Sequence, residues 1–205
     1  MDQPCEFLLV RHALPQPDGT MDPELGDIGR EQAQSLVRHL DAVVVGAVYS
    51  SQLKRAVQTA EPLAVARGLD VVIDEGLREW VTGATQYVGT ENLGDSGRAE
   101  SFRQGRFEDE FLPVHDADAL RATMVATLRR IGLAHLGQRV VAVSHGGASN
   151  AFLAEVIGSP RRFFFNPGYA AISRVQLWPD GRFVLMSVNE PTSARDQRPD
   201  LLPGG

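Results

Sequence analysis

Short runs of apolar residues alternate along this chain with longer stretches in which apolar residues recur every three or four positions. The short runs predict buried β-strands, and the longer stretches predict helices with one buried face. Strands that alternate with helices are typical of an α/β fold, so we predict a three-layer α/β/α sandwich with a mostly parallel central sheet. The predicted strands cover residues 7–10, 45–49, 71–73, 140–143, 172–177 and 183–188. The last two flank a Pro179-Asp180-Gly181 turn, which predicts a hairpin and an antiparallel strand at the sheet edge.

Helices are predicted in the intervals between these strands. Asp27 is the expected N-cap of the first helix, and Ser50 or Ser51 is the expected N-cap of the second. A later helix over residues 147–157 is expected to end at Gly158. The apolar positions with helical spacing are Ala33, Leu36, Val37 and Leu40 in the first helix, Leu53, Val57, Ala60 and Ala64 in the second, and Leu120, Met124, Leu128 and Ile131 in the third.

One long interval lacks this periodicity. Residues from about 82 to 116 are polar, glycine-rich and irregular, which is typical of a cap or loop inserted in a compact domain. We therefore predict a single domain over residues 1–190 that carries this insert. Residues 191–205 are rich in proline and charge and are expected to form a mobile C-terminal tail.

Composition excludes several classes of protein. The net charge of −6 argues against a broad surface for nucleic acid or an anionic membrane. Cys5 is the only cysteine, so the chain has no internal disulfide and no cysteine-based zinc site. The first residues lack the pattern of a secretory signal, and no apolar run is long enough to span a membrane, so we expect a cytoplasmic location.

Two predicted strands end in a histidine motif. Arg11-His12 follows the strand at 7–10, and Ser144-His145-Gly146-Gly147 follows the strand at 140–143. Open α/β sheets bind ligands at the carboxyl ends of their strands, so both histidines are predicted at the functional edge. A single histidine in such a place is about as often a structural group. The arginine beside one histidine and the paired glycines after the other favour a shared site.

Two more charged residues follow the neighbouring strands. Arg55 is predicted in the first turn of the second helix, where backbone N–H groups and a guanidinium together favour a phosphate. An arginine on a helix is more often a solvated surface residue, which is what we expect of Lys54. Glu79 follows the third strand and is a candidate general acid, although an isolated glutamate is more often an ordinary surface residue.

In combination, these segments resemble the histidine phosphatase superfamily, whose branch-one members are also called phosphoglycerate mutase-like. The motifs that carry the resemblance are Arg11-His12, Leu25, Gly29, Gln32 and Ala33 before and within the first helix, Leu-Lys-Arg-Ala-x-Gln-Thr-Ala around Arg55, Glu79 after Leu-Arg, and Ser144-His145-Gly146-Gly147. The resemblance spans roughly residues 7–157. It implies a phosphoglycerate mutase-like fold and a phosphatase that acts on a small phosphomonoester.

The resemblance also implies a role for each residue. His12 is the expected nucleophile, Glu79 the proton donor, and Arg11, Arg55, His145 and Gly146 the groups that bind the phosphoryl oxygens. His12 has to be neutral with a free Nε2, so its Nδ1–H is expected to donate to a backbone carbonyl. The positive cluster would neutralise developing charge as Mg²⁺ does elsewhere, so no metal and no cofactor are expected. We make no prediction of oligomeric state.

The chain departs from the family pattern in two places. Ala13 stands where the family usually has glycine, and it fits if its backbone keeps a negative φ. Residues 14–19 replace the usual Glu-Ser/Thr-x-Trp-Asn continuation, which contacts substrate in many relatives. The second departure leaves the substrate open and weakens a mutase role.

Two other hydrolase chemistries have partial motifs. Cys5 and Arg11 have the Cys-x5-Arg spacing of cysteine-dependent phosphatases, but an apolar strand separates them where that chemistry needs a glycine-rich loop. His145-Gly146-Gly147 resembles an esterase oxyanion motif, but the chain contains no Gly-x-Ser-x-Gly sequence. We therefore expect neither a cysteine phosphatase nor a serine hydrolase.

Two alternatives remain within the same fold. One is a cofactor-dependent phosphoglycerate mutase-type phosphotransferase, and the other is a non-catalytic module that binds a phosphorylated ligand. The other histidines, His39, His115 and His135, are expected to be structural or at the surface. Arg98, Arg103 and Arg106 in the insert are candidates for holding an anionic substrate, although a solvated loop is the commoner place for such residues.

Overall fold

The computed structural model of the chain describes residues 3–79, Tyr87, and residues 117–161 and 163–192. The strands described are β1 (Cys5–Arg11), β2 (Ala47–Ser50), β3 (Val71–Ile73), β4 (Arg139–Ser144), β5 (Ile172–Leu177) and β6 (Phe183–Glu190). The α-helices described are α1 (Asp27–His39), α2 (Lys54–Arg67), α3 (Ala117–Ala134) and α4 (Gly146–Ile157), and a 3-10 turn covers Glu75–Leu77. The predicted insert, apart from Tyr87, and the tail beyond residue 192 lie outside the described residues.

The strands form one sheet in the order β3-β2-β4-β1-β5-β6. β1, β2, β3 and β4 pair in parallel, whereas β5 pairs antiparallel with β1 and β6 pairs antiparallel with β5. The predicted mostly parallel sheet with antiparallel pairing toward one edge is therefore confirmed. All six predicted strands are present, with bounds that differ by at most two residues from the predicted ones.

Alternation along β1 divides the molecule into layers. Phe7 and Leu9 point into one apolar cluster that contains Met124 and Phe152 from α3 and α4. Leu8 and Val10 point to the opposite face, where residues of α1 and α2 cover the sheet. Successive strand residues face opposite sides, so a strand with helices on both sides must be apolar throughout. The predicted α/β/α sandwich is thereby confirmed.

The ends of three helices test the expected caps. Asp27 is the first residue of α1, and the N-cap is Gly26, which has no side chain to cap with, so the expectation for Asp27 was wrong. α2 begins at Lys54 with Leu53 as N-cap, so the expectation for Ser50 or Ser51 was wrong as well. Both serines are buried and make other hydrogen bonds. α4 ends as predicted, with Gly158 in the left-handed conformation at φ 65°.

The buried face of α2 differs in part from the predicted one. Ala60 and Ala64 are buried as expected, but Leu53 and Val57 are only partly buried. Arg55 and Thr59 are buried instead, and they contact His12 and Ala13, which follow β1. The buried face of α2 therefore includes polar residues near the helix start, which the apolar pattern did not predict. None of the helices that the structure describes combines the length and the apolar character needed to cross a lipid bilayer.

Candidate active site

The carboxyl ends of β1 and β4 bring the two histidine motifs together. Arg11 is in register with Ser144, and the His12 backbone N–H donates to the Ser144 carbonyl at 2.9 Å. The ring centroids of His12 and His145 are therefore only 5.1 Å apart. Two motifs more than a hundred residues apart in the chain meet at one edge of the sheet, as predicted.

One hydrogen bond determines the tautomer of His12. Its Nδ1 lies 2.8 Å from the carbonyl oxygen of Ala13. A carbonyl oxygen only accepts, so Nδ1 carries the hydrogen and Nε2 keeps its lone pair. The expected contact with a backbone carbonyl is thereby confirmed. Ala13 is not among the described residues with positive φ, so alanine fits where the family usually has glycine.

The surroundings of His12 keep it uncharged. The side chain is almost fully buried, with 2% of the residue exposed. Burial lowers the pKa of His12 well below its ordinary value, and the positive charges of Arg55, His145 and Arg11 lower it further. A neutral imidazole with a free Nε2 is the form that a nucleophilic histidine requires.

Arg55 projects from the first turn of α2 toward His12. Its Nε lies 3.3 Å from His12 Nε2, and its Nη1 lies 3.3 Å from the carbonyl oxygen of Met21. The same Nη1 lies 3.4 Å from Asp22 Oδ1, which makes an ion pair. The guanidinium is buried, and its Cζ lies 4.8 Å from the ring centroid of Tyr87. Arg55 is thus one of the residues around His12, as predicted, and the surface alternative is wrong.

Arg11 reaches the same pocket from the end of β1. Its Nη1 donates to the carbonyl oxygen of Pro167 at 2.5 Å. Its Cζ lies 3.8 Å from the ring centroid of Tyr169, which is within cation–π distance. A Cβ added at Gly146 would lie 3.6 Å from Arg11 Nε, so the start of α4 is adjacent to this guanidinium.

His145 is the N-cap residue of α4 and is fully buried. Its Nε2 lies 2.7 Å from Ser51 Oγ, and its Nδ1 makes no hydrogen bond with any residue that the structure describes. Burial lowers the pKa of His145 well below its ordinary value, and Arg55 and Arg11 lower it further. Without an anion in the pocket His145 is therefore neutral, and it can serve as a hydrogen-bond donor rather than as a cation.

The side chain of Glu79, a residue that follows β3 in the chain, contacts the N-terminus of α4. Its two carboxylate oxygens accept from the backbone N–H groups of Gly147 and Ala148, at 2.9 and 3.0 Å. Helix N-termini favour negative groups, so this position holds the carboxylate beside the His145 motif. A Cβ at Gly147 would lie only 2.6 Å from Glu79 Oε1. Glycine at position 147 therefore allows Glu79 to approach the helix.

The sequence analysis did not assign to the site four residues that contact Arg11, Arg55 or His145, namely Asp22, Ser51, Tyr87 and Tyr169. The Tyr87 and Tyr169 hydroxyls lie 3.4 Å apart, and their rings lie 6.3 and 5.7 Å from the His12 ring, centroid to centroid. Apart from Ser51, which was considered only as a helix cap, these residues lie in segments without periodicity. A polar or aromatic residue in a loop gives no local signal of the residue that it will contact.

The structure disfavours a cysteine nucleophile. Cys5 is the first residue of β1 and is fully buried, rather than part of a phosphate-binding loop. Burial raises the pKa of the Cys5 thiol to about 12, with a smaller contribution from Glu6. A thiol with this pKa stays protonated at ordinary pH and is a poor nucleophile.

The remaining candidates lie elsewhere. His39 is exposed at the end of α1, and His135 hydrogen-bonds the Tyr49 hydroxyl at 3.0 Å, as expected of surface and structural histidines. The other four, His115, Arg98, Arg103 and Arg106, lie outside the described residues. Within the part of the chain that is described, no group of three or more His, Cys, Asp or Glu side chains is arranged to hold a metal ion.

Known proteins share both the sequence and the fold. A family model of the histidine phosphatase superfamily (branch 1) matches residues 7–191. Phosphoglycerate mutase-like protein 4 of Arabidopsis thaliana is 33% identical over 170 residues, which cover 77% of this chain and 74% of that protein. Phosphoserine phosphatase 1 of Hydrogenobacter thermophilus is 27% identical over 172 residues, which cover 80% of this chain and 81% of that protein. A solved mycobacterial glucosyl-3-phosphoglycerate phosphatase has a TM-score of 0.72 at 22% identity, covering 91% of this chain and 99% of that one.

The chain therefore belongs to branch 1 of the histidine phosphatase superfamily, as its motifs predicted. Its fold is the phosphoglycerate mutase-like α/β fold. It is an enzyme of the histidine phosphatase type, a group whose named relatives include both phosphatases and mutase-like proteins.

Proposed function

We propose that this protein hydrolyses small phosphate monoesters without a metal ion and that His12 carries the phosphoryl group during the reaction. The observation that carries the proposal is the tautomer and hydrogen bonding of the His12 imidazole. Its Nδ1–H donates to the Ala13 carbonyl, so its Nε2 carries a lone pair, which accepts from the Arg55 Nε–H at 3.3 Å. Transfer from a phosphate dianion requires a neutral nucleophile next to a positive charge, so this arrangement of His12 and Arg55 supports the proposal.

In the first half of the proposed reaction, the lone pair of His12 Nε2 forms a bond to phosphorus. The bond from phosphorus to the ester oxygen breaks, and Glu79 in its acid form donates a proton to the departing oxygen. Glu79 is suited to this role because the start of α4 holds it beside the His145 motif. The alcohol product leaves, and the protein retains phosphohistidine.

In the second half, a water molecule attacks the phosphorus of phospho-His12. The Glu79 carboxylate, left without its proton by the first half, accepts a proton from that water. The bond between phosphorus and Nε2 breaks, and inorganic phosphate is released. His12 and Glu79 both return to their starting states, so the cycle consumes only one ester and one water.

Arg11, Arg55 and His145 supply the electrostatic stabilisation in this proposal. Two buried guanidinium groups would bind the equatorial phosphoryl oxygens, and His145 would add a neutral hydrogen-bond donor from Nδ1. Preorganised donors of this kind are worth about 3 kcal/mol of transition-state stabilisation each. Replacing Arg11 or Arg55 by alanine is therefore expected to lower kcat/KM by about two to three orders of magnitude.

The proposed substrate is a small phosphomonoester. Relatives are named for phosphoserine and for glucosyl-3-phosphoglycerate, both of which are small polar esters. A second candidate function is a phosphoglycerate mutase-type phosphotransfer, which the mutase-like relatives favour. The replacement of the usual Trp-Asn segment by residues 14–19 supports hydrolysis over that alternative.

The test is turnover by the full chain in the presence of EDTA. p-Nitrophenyl phosphate, phosphoserine and 3-phosphoglycerate would each be assayed for phosphate release, and 3-phosphoglycerate also for positional exchange. We expect phosphate release that is insensitive to EDTA and is lost in Arg55→Ala. Activity that disappears with EDTA would contradict the metal-independent proposal, and exchange without release would establish the mutase alternative. Binding of the esters without either reaction would establish a non-catalytic module.

A further inference from the structure

Asp22 occupies the anion-binding position at the start of α2. Its Oδ1 accepts from the backbone N–H of Lys54 at 2.9 Å and lies 3.4 Å from Arg55 Nη1. Asp22 thus performs the capping that the sequence suggested for a serine, although it lies 32 residues before Lys54. A carboxylate at this place interacts favourably with the helix dipole and with the guanidinium at once.

The nitrogens of Arg55 divide between two directions. Nη1 is engaged by the Met21 carbonyl and by Asp22, and Nε contacts His12 Nε2 at 3.3 Å. Nη2 makes no hydrogen bond with any residue described in the structure. Nη2 and the Nε hydrogen lie on the same edge of the planar guanidinium, and that edge faces His12. This is the edge that can bind two phosphoryl oxygens.

We propose that Asp22 is the positioning residue of Arg55. Resting on the proposed phosphatase function, this inference assigns to Asp22 the orientation of the edge of Arg55 that meets the phosphoryl group. Asp22 holds Nη1 away from the pocket, and so Nη2 and Nε remain directed at it. Its negative charge also offsets part of the charge of Arg55, which weakens the binding of the product, inorganic phosphate.

The two effects of Asp22 can be separated with two variants, because asparagine removes only the charge, whereas alanine removes both the charge and the acceptor. Asp22→Asn retains an oxygen that accepts from Lys54 and Arg55 but carries no charge. Asp22→Ala loses both the acceptor and the charge. Comparing asparagine with wild type therefore isolates the charge, and comparing alanine with asparagine isolates the positioning.

The experiment measures binding of inorganic phosphate to the full chain by isothermal titration calorimetry. Asp22→Asn is expected to bind phosphate roughly three- to tenfold tighter than wild type, because a nearby negative charge has been removed. Asp22→Ala is expected to bind about tenfold more weakly than Asp22→Asn, because Arg55 loses one of the two acceptors that orient its Nη1. The control is Asp18→Asn, since Asp18 is an exposed carboxylate in the same loop that accepts from the Thr20 backbone N–H and hydroxyl. It removes the same charge and is expected to bind phosphate as wild type does.

KM for p-nitrophenyl phosphate supplies a second, kinetic measurement of the same comparison. It should rise by about tenfold in Asp22→Ala relative to Asp22→Asn. Equal phosphate affinity and equal KM in the two folded variants would overturn the positioning role. If Asp22→Ala does not fold, Asp22→Ser, whose hydroxyl side chain is one bond shorter, replaces it in the comparison with Asp22→Asn, and equal phosphate affinity and equal KM in that pair would overturn the positioning role. A wild type that neither hydrolyses esters nor binds phosphate would instead contradict the proposed function itself.

Discussion

Ser51 and His145 are joined by a 2.7 Å contact between the serine Oγ and the imidazole Nε2. Both side chains are fully buried, and the Nδ1 of His145 makes no hydrogen bond with any described residue. If the serine hydroxyl donates to Nε2, the hydrogen of His145 lies on Nδ1, where it is available to a phosphoryl oxygen. The two residues lie 94 positions apart, so only the fold brings them together.

The first prediction concerns this contact. Ser51→Ala is expected to lower kcat/KM by about tenfold, because His145 loses the group that fixes its ring and tautomer. The matched control is Ser50→Ala, since Ser50 is equally buried but donates to the Ser51 carbonyl rather than to a histidine. Steady-state kinetics on p-nitrophenyl phosphate would check it. A loss of kcat/KM as large in Ser50→Ala would show that general packing, not His145, explains the effect.

The second prediction concerns Gly147 and Glu79. In Gly147→Ala the new Cβ would lie 2.6 Å from Glu79 Oε1, so the carboxylate must move away from α4. If Glu79 donates the proton, kcat/KM, which reports only the first half of the reaction, should fall by about a hundredfold for an alkyl phosphate, whose leaving group needs a proton. It should fall far less for p-nitrophenyl phosphate, whose leaving group departs as a stable anion.

Glu79→Gln should give the same dependence on the leaving group as Gly147→Ala. Gly146→Ala is the comparison, since its Cβ would meet nothing closer than 3.6 Å and should cost less activity. Kinetics on the two classes of ester check the prediction. Equal losses of kcat/KM on both classes would contradict the role of Glu79 as the acid.

The third prediction concerns stability and pH. The pKa values of His12 and His145 are lowered in the folded protein, first by burial and then by the nearby positive charges. In the unfolded chain both histidines regain an ordinary pKa of about 6.5. Below that pH the unfolded chain binds more protons than the folded one, so the free energy of unfolding falls as the pH falls. Above about pH 7.5 neither state is protonated and the effect vanishes.

This pH dependence can be assigned to His12 with one variant. His12→Gln removes one of the two groups, so its free energy of unfolding should decline by about 2 kcal/mol less than that of wild type between pH 7.5 and 5. Urea unfolding at the two pH values is the measurement. A decline as steep in His12→Gln as in wild type would show that His12 is not held neutral by folding.

The fourth prediction concerns Tyr169, whose ring lies 3.8 Å from Arg11 Cζ, centroid to atom. Tyr169→Phe keeps the aromatic face, whereas Tyr169→Leu removes it at similar bulk. KM for p-nitrophenyl phosphate should therefore rise by about five- to tenfold in Tyr169→Leu, because a cation–π contact of about 1 kcal/mol holds the guanidinium. The change in Tyr169→Phe should be smaller. A larger increase in the phenylalanine variant would assign the effect to the hydroxyl that approaches Tyr87.

Sequence patterns predicted much of this architecture and part of the site. The apolar strand at β1 and the glycine at the end of α4 are local features, so their structures follow from nearby residues. The adjacency of His12 and His145 was also predictable, because parallel strands place their carboxyl ends at one edge. Arg55 was found through the resemblance of its motif, although the apolar pattern of α2 gave a buried face that differs from the observed one.

The contacts of the loops could not be predicted in this way. Serine is a common helix cap, which is why Ser51 was expected to cap α2. Only the three-dimensional position of His145 shows that Ser51 contacts that histidine instead. Asp22 caps α2 from a distant segment, so no rule that considers adjacent residues would assign it. Tyr169 lies before Ala170, an alanine with φ 55°, and a left-handed alanine is not an expected turn residue. Its position depends on tertiary contacts that hold this backbone.

The most direct test of the account is whether His12 becomes phosphorylated. The wild-type protein and His12→Asn would each be mixed with a substrate that the wild-type protein turns over. The samples would be quenched in base, because phosphohistidine is labile in acid, and then examined by intact mass and peptide mapping. The account predicts a transient phosphate adduct on wild type that maps to His12 and is absent in the variant, whether or not EDTA is present. Turnover with an adduct on another residue, or an adduct that persists in His12→Asn, would contradict it.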